Sequence, residues 1–383
     1  MTAKVVVLGA GYAGAGAIQQ LEAELDSADI TWVSDNDYHL VLHEAHRVIR
    51  DPRVKDKITL PVHDIKSPST QFVEGTVTGV DTDERNVELD SGDEIAYDYL
   101  LVGLGSQTAY YGIPGLDENS LTLKSLDDAL EIHESVKEAA GEATRNDPAT
   151  VVVGGAGLSG IQSAGEIAEY RDKHRAPIDI YLVEALDEIM PGQDPELQGT
   201  VKKYLLEKDV EILTGDPITE ATEDDIQFDE GDPLEYDVFL WTGGITGRDA
   251  MNDCGLDNEH NRVTTEANFQ TSDDCVFAIG DCAIVDQGND PAPPTAQAAW
   301  QAAEVAGENI ARSIRGQPLA TWTYDDKGTL ISIGDAAVAH DIPLVPVDTF
   351  NSSAAEFLKK AAAARWIADV SSIGRAFDAW ESL

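Results

Sequence analysis

Two short apolar runs carry the strongest pattern in the chain. Residues Lys4 to Leu8 and Thr150 to Val153 each end in a cluster of glycines, and each is followed by apolar residues at helical spacing, to about Leu25 and to Tyr170. Unbroken apolar runs bounded by turn residues predict strands buried on both faces, as parallel sheets require. The pattern then repeats downstream. A further strand is predicted at Ile30 to Val33 after the first helix and at Ile178 to Val183 after the second. Short strands broken by Asp, Gly and Pro follow, at Phe72 to Val80, Asn86 to Leu89 and Glu94 to Val102 in one unit, and near Val210 to Leu213, Ile226 to Phe228 and Leu234 to Trp241 in the other. Both units close alike, on Tyr97-Asp98 before Tyr99 to Gly103 and on Tyr236-Asp237 before Val238 to Gly243. The chain is thus an internal repeat of one α/β unit.

Ile113-Pro114-Gly115-Leu116 reads as the hinge between the units, and from about residue 246 the chain returns to the first, adding a buried strand at Val276 to Ile279. The predicted domains are 1–112 with 247–320, an inserted unit at 113–246, and a C-terminal segment at 321–383. Leu126, Leu130, His133, Val136 and Ala140 predict an amphipathic helix from Leu123 to about Ala140, opened by the cap pair Ser125 and Asp128. In the tail, Ile367, Val370, Ile373, Phe377 and Trp380 share one helix face with Trp366 at its edge, flanked by Lys359, Lys360, Arg365 and Arg375. Such a face suits a peripheral position on a membrane surface, and equally a helix docked on the protein's own core or on a dimer partner.

Composition narrows the partners. Twenty-six basic against seventy-one acidic residues give a net charge of −45 over 383 residues. The acids are spread along the whole length, which disfavours nucleic acid and suits a salt-rich cytoplasm, where the Debye length falls to about 3 Å near 1 M. No apolar run reaches the roughly 18 residues of a spanning helix. A strand beginning at Lys4 leaves no room for a secretory signal. The three cysteines, Cys254, Cys275 and Cys282, all lie beyond residue 253, so free thiols in a reducing compartment are expected. His39, His43 and His46 lack metal-ligand spacing, and no metal is expected.

The glycines supply the chemistry. Gly9-x-Gly11-x-x-Gly14 and Gly155-x-Gly157-x-x-Gly160 each sit between a strand and a helix, the required context of a dinucleotide fingerprint. The pyrophosphate rests on the helix N-terminus, where free N–H groups and the helix dipole favour an anion. In the second unit the next strand ends in Glu184, placed to take ribose hydroxyls; in the first, that position holds Ser34 with Asp35 one residue on, and either could serve. Asp281, after Gly280 at a strand end, suits either a cofactor hydroxyl or a helix cap.

Across nearly the whole chain these stretches, with PPTAQAAWQAAEVAGENI from Pro293 and YDDKGTLISIG from Tyr324, resemble the type II, non-proton-pumping NADH:quinone oxidoreductases, glutathione-reductase-like flavoproteins with two Rossmann-like domains, the second inserted in the first. The resemblance implies FAD at Gly9, Gly11, Tyr12, Ala13, Gly14, Ser34 or Asp35, Gly105 and Asp281, and NADH at Gly155, Gly157, Gly160, Glu184 and Gly244. It implies Ala296, Gln297 and Lys327 near the isoalloxazine ring and quinone, with Gln162, Gln297 and Lys327 as the catalytic set. The family usually has Glu at the position of Gln162, where it serves proton transfer; an amide cannot. Disulfide reductases and sulfide:quinone oxidoreductases need cysteines that the first half lacks. A reductase of a soluble acceptor such as ferredoxin, or a non-catalytic flavin sensor, is the alternative on the same fold.

Overall fold

The computed structural model describes residues 2–25, 27–351 and 353–383. The repeat foreseen in the sequence is a repeat of topology. In the first unit the fingerprint strand Lys4–Leu8 lies between Asp29–Ser34 and the closing strand Tyr99–Val102, all parallel, with Gln71–Glu74 and Val276–Ala278 at the two edges. In the second, Ala149–Gly154 lies between Ile178–Glu184 and Val238–Trp241, with Val210–Thr214 outermost. Val5 to Leu8 and Val151 to Val153 are almost fully buried, as an unbroken apolar run requires.

Three predicted strands are broken. The segment 72–80 divides at Gly75 into Gln71–Glu74 and Val77–Asp81, and each closing run divides at its Tyr-Asp pair. The break has a physical reason. Asp98 accepts the backbone N–H of Lys4 at 2.8 Å, and Asp237 accepts that of Thr150 at 2.7 Å, so each carboxylate caps the entrance of its fingerprint strand instead of continuing an antiparallel ladder. The units are joined where Ser106–Thr108 pairs antiparallel with Ile245–Gly247, the chain leaving and re-entering side by side. The helix Leu126–Glu142 carries the predicted capping box and buries Ala129, Ile132, His133 and Val136.

The C-terminal segment is a three-stranded antiparallel sheet, Thr329–Ile333, Ala336–His340 and Thr349–Asn351, followed by helices Ser353–Val370 and Ile373–Ala379. A single tail helix is therefore corrected to two, because the Ser372 hydroxyl caps the second by accepting from Arg375 N–H at 3.2 Å. The predicted apolar face divides with it. Ala363, Trp366, Ile367 and Val370 are buried in the protein's own core, whereas Ile373 and Phe377 are 81% and 85% exposed.

Candidate active site

The two fingerprints have the same geometry residue for residue. Gly9 and Gly155 adopt φ of +93° and +91°, and a Cβ on Gly155 would lie 2.7 Å from the Gly243 Cα. A Cβ on Gly14 or Gly160 would overlap the carbonyl oxygen of its own first glycine, so the third glycine sets how closely the helix approaches the strand. The middle glycines differ: a Cβ on Gly11 or Gly157 would meet nothing within 4 Å. Each helix thus begins at an N-cap glycine without a side-chain cap, its first N–H groups facing open space shaped for a pyrophosphate. The residues fit two dinucleotides.

Glu184 ends its strand with the carboxylate turned back onto the second fingerprint, accepting the N–H of Ala156 at 2.9 Å and of Leu186 at 3.1 Å. At the matching place in the first unit Ser34 is buried, its hydroxyl 3.3 Å from Asp35 Oδ1. Asp281 is brought to the first fingerprint, since Gly280 packs against Ala13 and Ser106 donates to the Asp281 carboxylate at 3.3 Å. Gly105, with φ of +68°, follows the closing strand of the same sheet. Gly244 lies beneath Tyr111, whose hydroxyl donates to the Gly243 carbonyl at 3.2 Å. Ala296 and Gln297 open the helix Ala296–Ile314, and the Gln297 side-chain oxygen accepts from the Lys327 backbone N–H at 2.8 Å and the Tyr324 hydroxyl at 3.1 Å. Lys327 itself turns its ammonium to Asp325 at the surface, 55% exposed. It stands apart from the buried charges described next.

Between the second fingerprint helix and residues 44–50 lies a polar cluster that sequence reasoning missed in part. Gln162 is buried, its amide 3.0 Å from His46 Nε2 and donating to Ser332 Oγ at 3.1 Å. Glu44 is fully buried between Lys359 Nζ, at 2.8 Å, and Arg47. Burial opposes its ionisation, but Lys359 and Arg47 outweigh it and hold the carboxyl well below the usual range. Glu166 lies one turn beyond Gln162 with Arg50 Nε at 3.0 Å; there burial prevails and pushes the carboxyl up to about 7. Burial also keeps His39 neutral, lowering it to about 4. Its Nδ1 bonds the Ala10 carbonyl at 2.7 Å, while its Nε2 accepts from the Trp366 indole at 2.8 Å. His39 thus bonds Ala10 and Trp366, His46 bonds Ser332 and Gln162, and among the described residues no group of three or more His, Cys, Asp or Glu could hold a metal ion. Lys359, expected among the cations flanking the tail's apolar face, is instead buried, because it falls on the inward stripe Ala355, Lys359, Ala363, Trp366 and pairs with Glu44.

Comparison with known proteins agrees with this geometry. The pyridine nucleotide-disulphide oxidoreductase family profile matches residues 3–303. The type II NADH:quinone oxidoreductase of Staphylococcus saprophyticus is 31% identical over 398 residues, covering 98% of this chain and 97% of the relative. That of Staphylococcus aureus is 29% identical over 98% and 97%. Among solved structures, NDH2 of Plasmodium falciparum in complex with NADH superposes with a TM-score of 0.83 at 15% identity, covering 100% of this chain and 98% of that one. The sulfide:quinone oxidoreductase of Aquifex aeolicus has the same fold, with a TM-score of 0.80 at 19% identity over 98% and 94%. With the two fingerprints and their acids in place, the chain belongs to the pyridine nucleotide-disulphide oxidoreductases and, within them, to the type II NADH:quinone oxidoreductases.

Proposed function

We propose that this chain oxidises NADH through a non-covalent FAD and passes two electrons to a quinone at the cytoplasmic face of a membrane, without pumping protons. The observation that carries the reading is the identical glycine geometry of two fingerprints in one chain, each leaving its middle glycine open to a pyrophosphate. FAD, when bound, supplies the chemistry of hydride acceptance and electron delivery. The protein positions it. Gly9, Gly11 and Gly14 hold its pyrophosphate on the first helix N-terminus, Ser34 or Asp35 its ribose, and Asp281 a hydroxyl of the chain linking phosphate to ring. Gly155, Gly157 and Gly160 do the same for NADH. Glu184, released from Ala156 N–H, takes the ribose hydroxyls and repels a 2′-phosphate, so NADH is preferred to NADPH.

Gln297 and Ala296, at the opening turn of one helix, orient the ring edge, and Lys327 offsets negative charge from the rim. The exposed tail residues Phe357, Ile373 and Phe377 suit a peripheral hold on a membrane surface, although of the nearby cations Lys57 pairs with Asp378 and Arg375 with Asp64. Among the described residues no helix is long and apolar enough to cross a membrane. The surplus of acids fits a salt-rich cytoplasm. Steady-state NADH oxidation at high salt, with menaquinone, ubiquinone, ferredoxin and ferricyanide compared side by side, tests the reading. Quinone turnover well above ferredoxin turnover is expected; the reverse order would replace quinone by a soluble acceptor.

A further inference from the structure

Tyr111 is a large aromatic residue left at the surface, 68% exposed, between the joining strand Ser106–Thr108 and the hinge. Its backbone has φ of +53°, and Gly112 follows at +68°. A bulky residue at positive φ is uncommon, and such residues concentrate at ligand clamps and switch segments. Here the conformation lays the ring over one turn, Gly243–Gly244. The Tyr111 hydroxyl donates to the Gly243 carbonyl at 3.2 Å, and a Cβ on Gly244 would overlap the hydroxyl oxygen, so glycine at 244 leaves room for the ring. The segment leading to Tyr111 is fixed from behind. Ala109 N–H donates to the Gly244 carbonyl at 3.2 Å, and the Trp241 indole donates to the Ala109 carbonyl at 2.9 Å.

The strand order shows what crosses that turn. A dinucleotide lies over the carboxyl ends of parallel strands. Glu184, ending Ile178–Glu184, takes the adenine ribose, and Gly157, after the central strand Ala149–Gly154, takes the pyrophosphate. The neighbouring strand on the side away from Glu184 is Val238–Trp241, and the turn after it brings Gly243 against Gly155. The remaining half of NADH, the nicotinamide riboside, is therefore directed over Thr242–Gly244. That direction also leads to the flavin unit, because the turn continues into Ile245–Gly247, which pairs with Ser106–Thr108, and Ser106 donates to Asp281.

We propose that Tyr111 is a movable cover for the nicotinamide ring of NADH, held on Gly243 in the free protein and closed over the ring when the dinucleotide binds. This rests on the NADH reading of the second fingerprint. In the free protein one exposed hydrogen bond keeps the phenol on the turn. NADH takes the place of that contact: the hydroxyl releases Gly243, and the phenol packs on the outer side of the nicotinamide, burying apolar area of both rings. A ring so placed presses the nicotinamide toward the turn and keeps water from the path to the flavin.

The test uses the FAD-loaded protein with NAD⁺, which binds without reducing the flavin, and with ADP-ribose, which lacks only the nicotinamide. In Tyr111→Ala the NAD⁺ Kd, read by isothermal titration, rises about fivefold to tenfold for one lost aromatic contact, and the ADP-ribose Kd stays within about twofold. Tyr111→Phe keeps the ring and loses the bond to Gly243, so it binds NAD⁺ at least as tightly as wild type. In stopped flow the limiting rate of flavin reduction by NADH falls in Tyr111→Ala and is kept in Tyr111→Phe. Without any variant in the measured sample, ¹⁹F NMR of fluorotyrosine-labelled wild type shows the Tyr111 resonance, identified by its absence from Tyr111→Phe, moving with NAD⁺ and far less with ADP-ribose. An equal loss of affinity for both ligands, a Tyr111→Phe protein as weak as Tyr111→Ala, or a Tyr111 resonance indifferent to NAD⁺ overturns the cover and leaves Tyr111 a prop of the hinge. Wild-type protein that binds neither NAD⁺ nor ADP-ribose instead overturns the NADH reading beneath it.

Discussion

Alanine substitutions at two glycines three residues apart should fail in opposite ways. A Cβ on Gly160 overlaps the Gly155 carbonyl and stands 2.8 Å from Thr242 Oγ1, and neither is a flexible side-chain end. The helix Leu158–His174 must therefore retreat from its strand, at a cost of roughly 1 to 3 kcal/mol for an overpacked contact. Unfolding entropy is on the order of 2 cal/mol/K per residue, so over 383 residues Tm falls by roughly 1 to 4 °C. Gly157 is different. Its φ of −80° and ψ of −170° suit any residue, and a Cβ there meets no protein atom, so Gly157→Ala costs about 0.5 to 1 kcal/mol in the apo fold, the preference of an N-cap for glycine over alanine. The added methyl occupies the space through which backbone approaches the pyrophosphate. NADH Kd should rise about tenfold or more, equivalent to about 1.4 kcal/mol. Thermal melts and NADH titration by flavin quenching read the two effects. A Gly157→Ala protein with wild-type NADH affinity, or one that loses more stability than Gly160→Ala, would refute the assignment of space to ligand and of contact to packing. Gly11→Ala and Gly14→Ala should repeat the contrast for FAD retention.

Four further outcomes are expected. Glu184→Ala should raise NADPH kcat/KM relative to NADH by at least tenfold, since it removes the like charge that meets the 2′-phosphate; equal ratios in the two proteins would deny Glu184 that role. Glu166 has its carboxyl raised from 4.5 to about 7 by burial, so the folded state binds the proton that the unfolded state has released, and its contribution to stability is lost as pH rises from about 4.5 to 7. The difference in Tm between Glu166→Gln and wild type should therefore shift in favour of the variant across that window, and a difference constant with pH would refute the titration. In the tail, Trp366→Ala should cost about 3 to 5 kcal/mol through its buried ring and lost bond to His39. Ile373→Ser with Phe377→Ser should leave Tm within about 1 °C and reduce sedimentation with anionic liposomes. Undiminished liposome binding by that double variant would end the membrane reading of the exposed face.

The parallel strands, the fingerprints and the repeat were legible because each is local: apolar runs, glycine spacing and the acid after the next strand lie within a few dozen residues. What misled was also local. The runs 94–102 and 234–241 contain continuous strand-formers, and only the long-range bonds from Asp98 to Lys4 and from Asp237 to Thr150 show why each is cut. The tail periodicity was real at Ile367 and Val370, but it ran on across Ser371-Ser372, where a hydroxyl cap restarts the helix in a new direction. A helical wheel carries no information on such a break, so residues of opposite fate were placed on one face.

The charged cluster was illegible for a different reason, and its placement bears on mechanism. Glu44 and Lys359 are 315 positions apart, and a chain with a net charge of −45 gives no hint that a buried region would be cationic. Yet among the described residues Arg47, Arg50 and Lys359 pair there with Glu44 and Glu166, with Asp335 at the exposed rim. By formal charge three cations meet two buried carboxylates, while burial raises Glu166 to about 7 and lowers Lys359. Unpaired charge is costly in a dry interior, and these residues come from three separate segments that must all fold to meet. Outside, the acids repel any anion. Inside, the cluster reaches the first fingerprint helix through the hydrogen bond between His43 and Tyr12, and charges held there act more strongly as water is excluded. Most of the acidity is thus carried by the surface, and the buried cluster holds more cations than carboxylates.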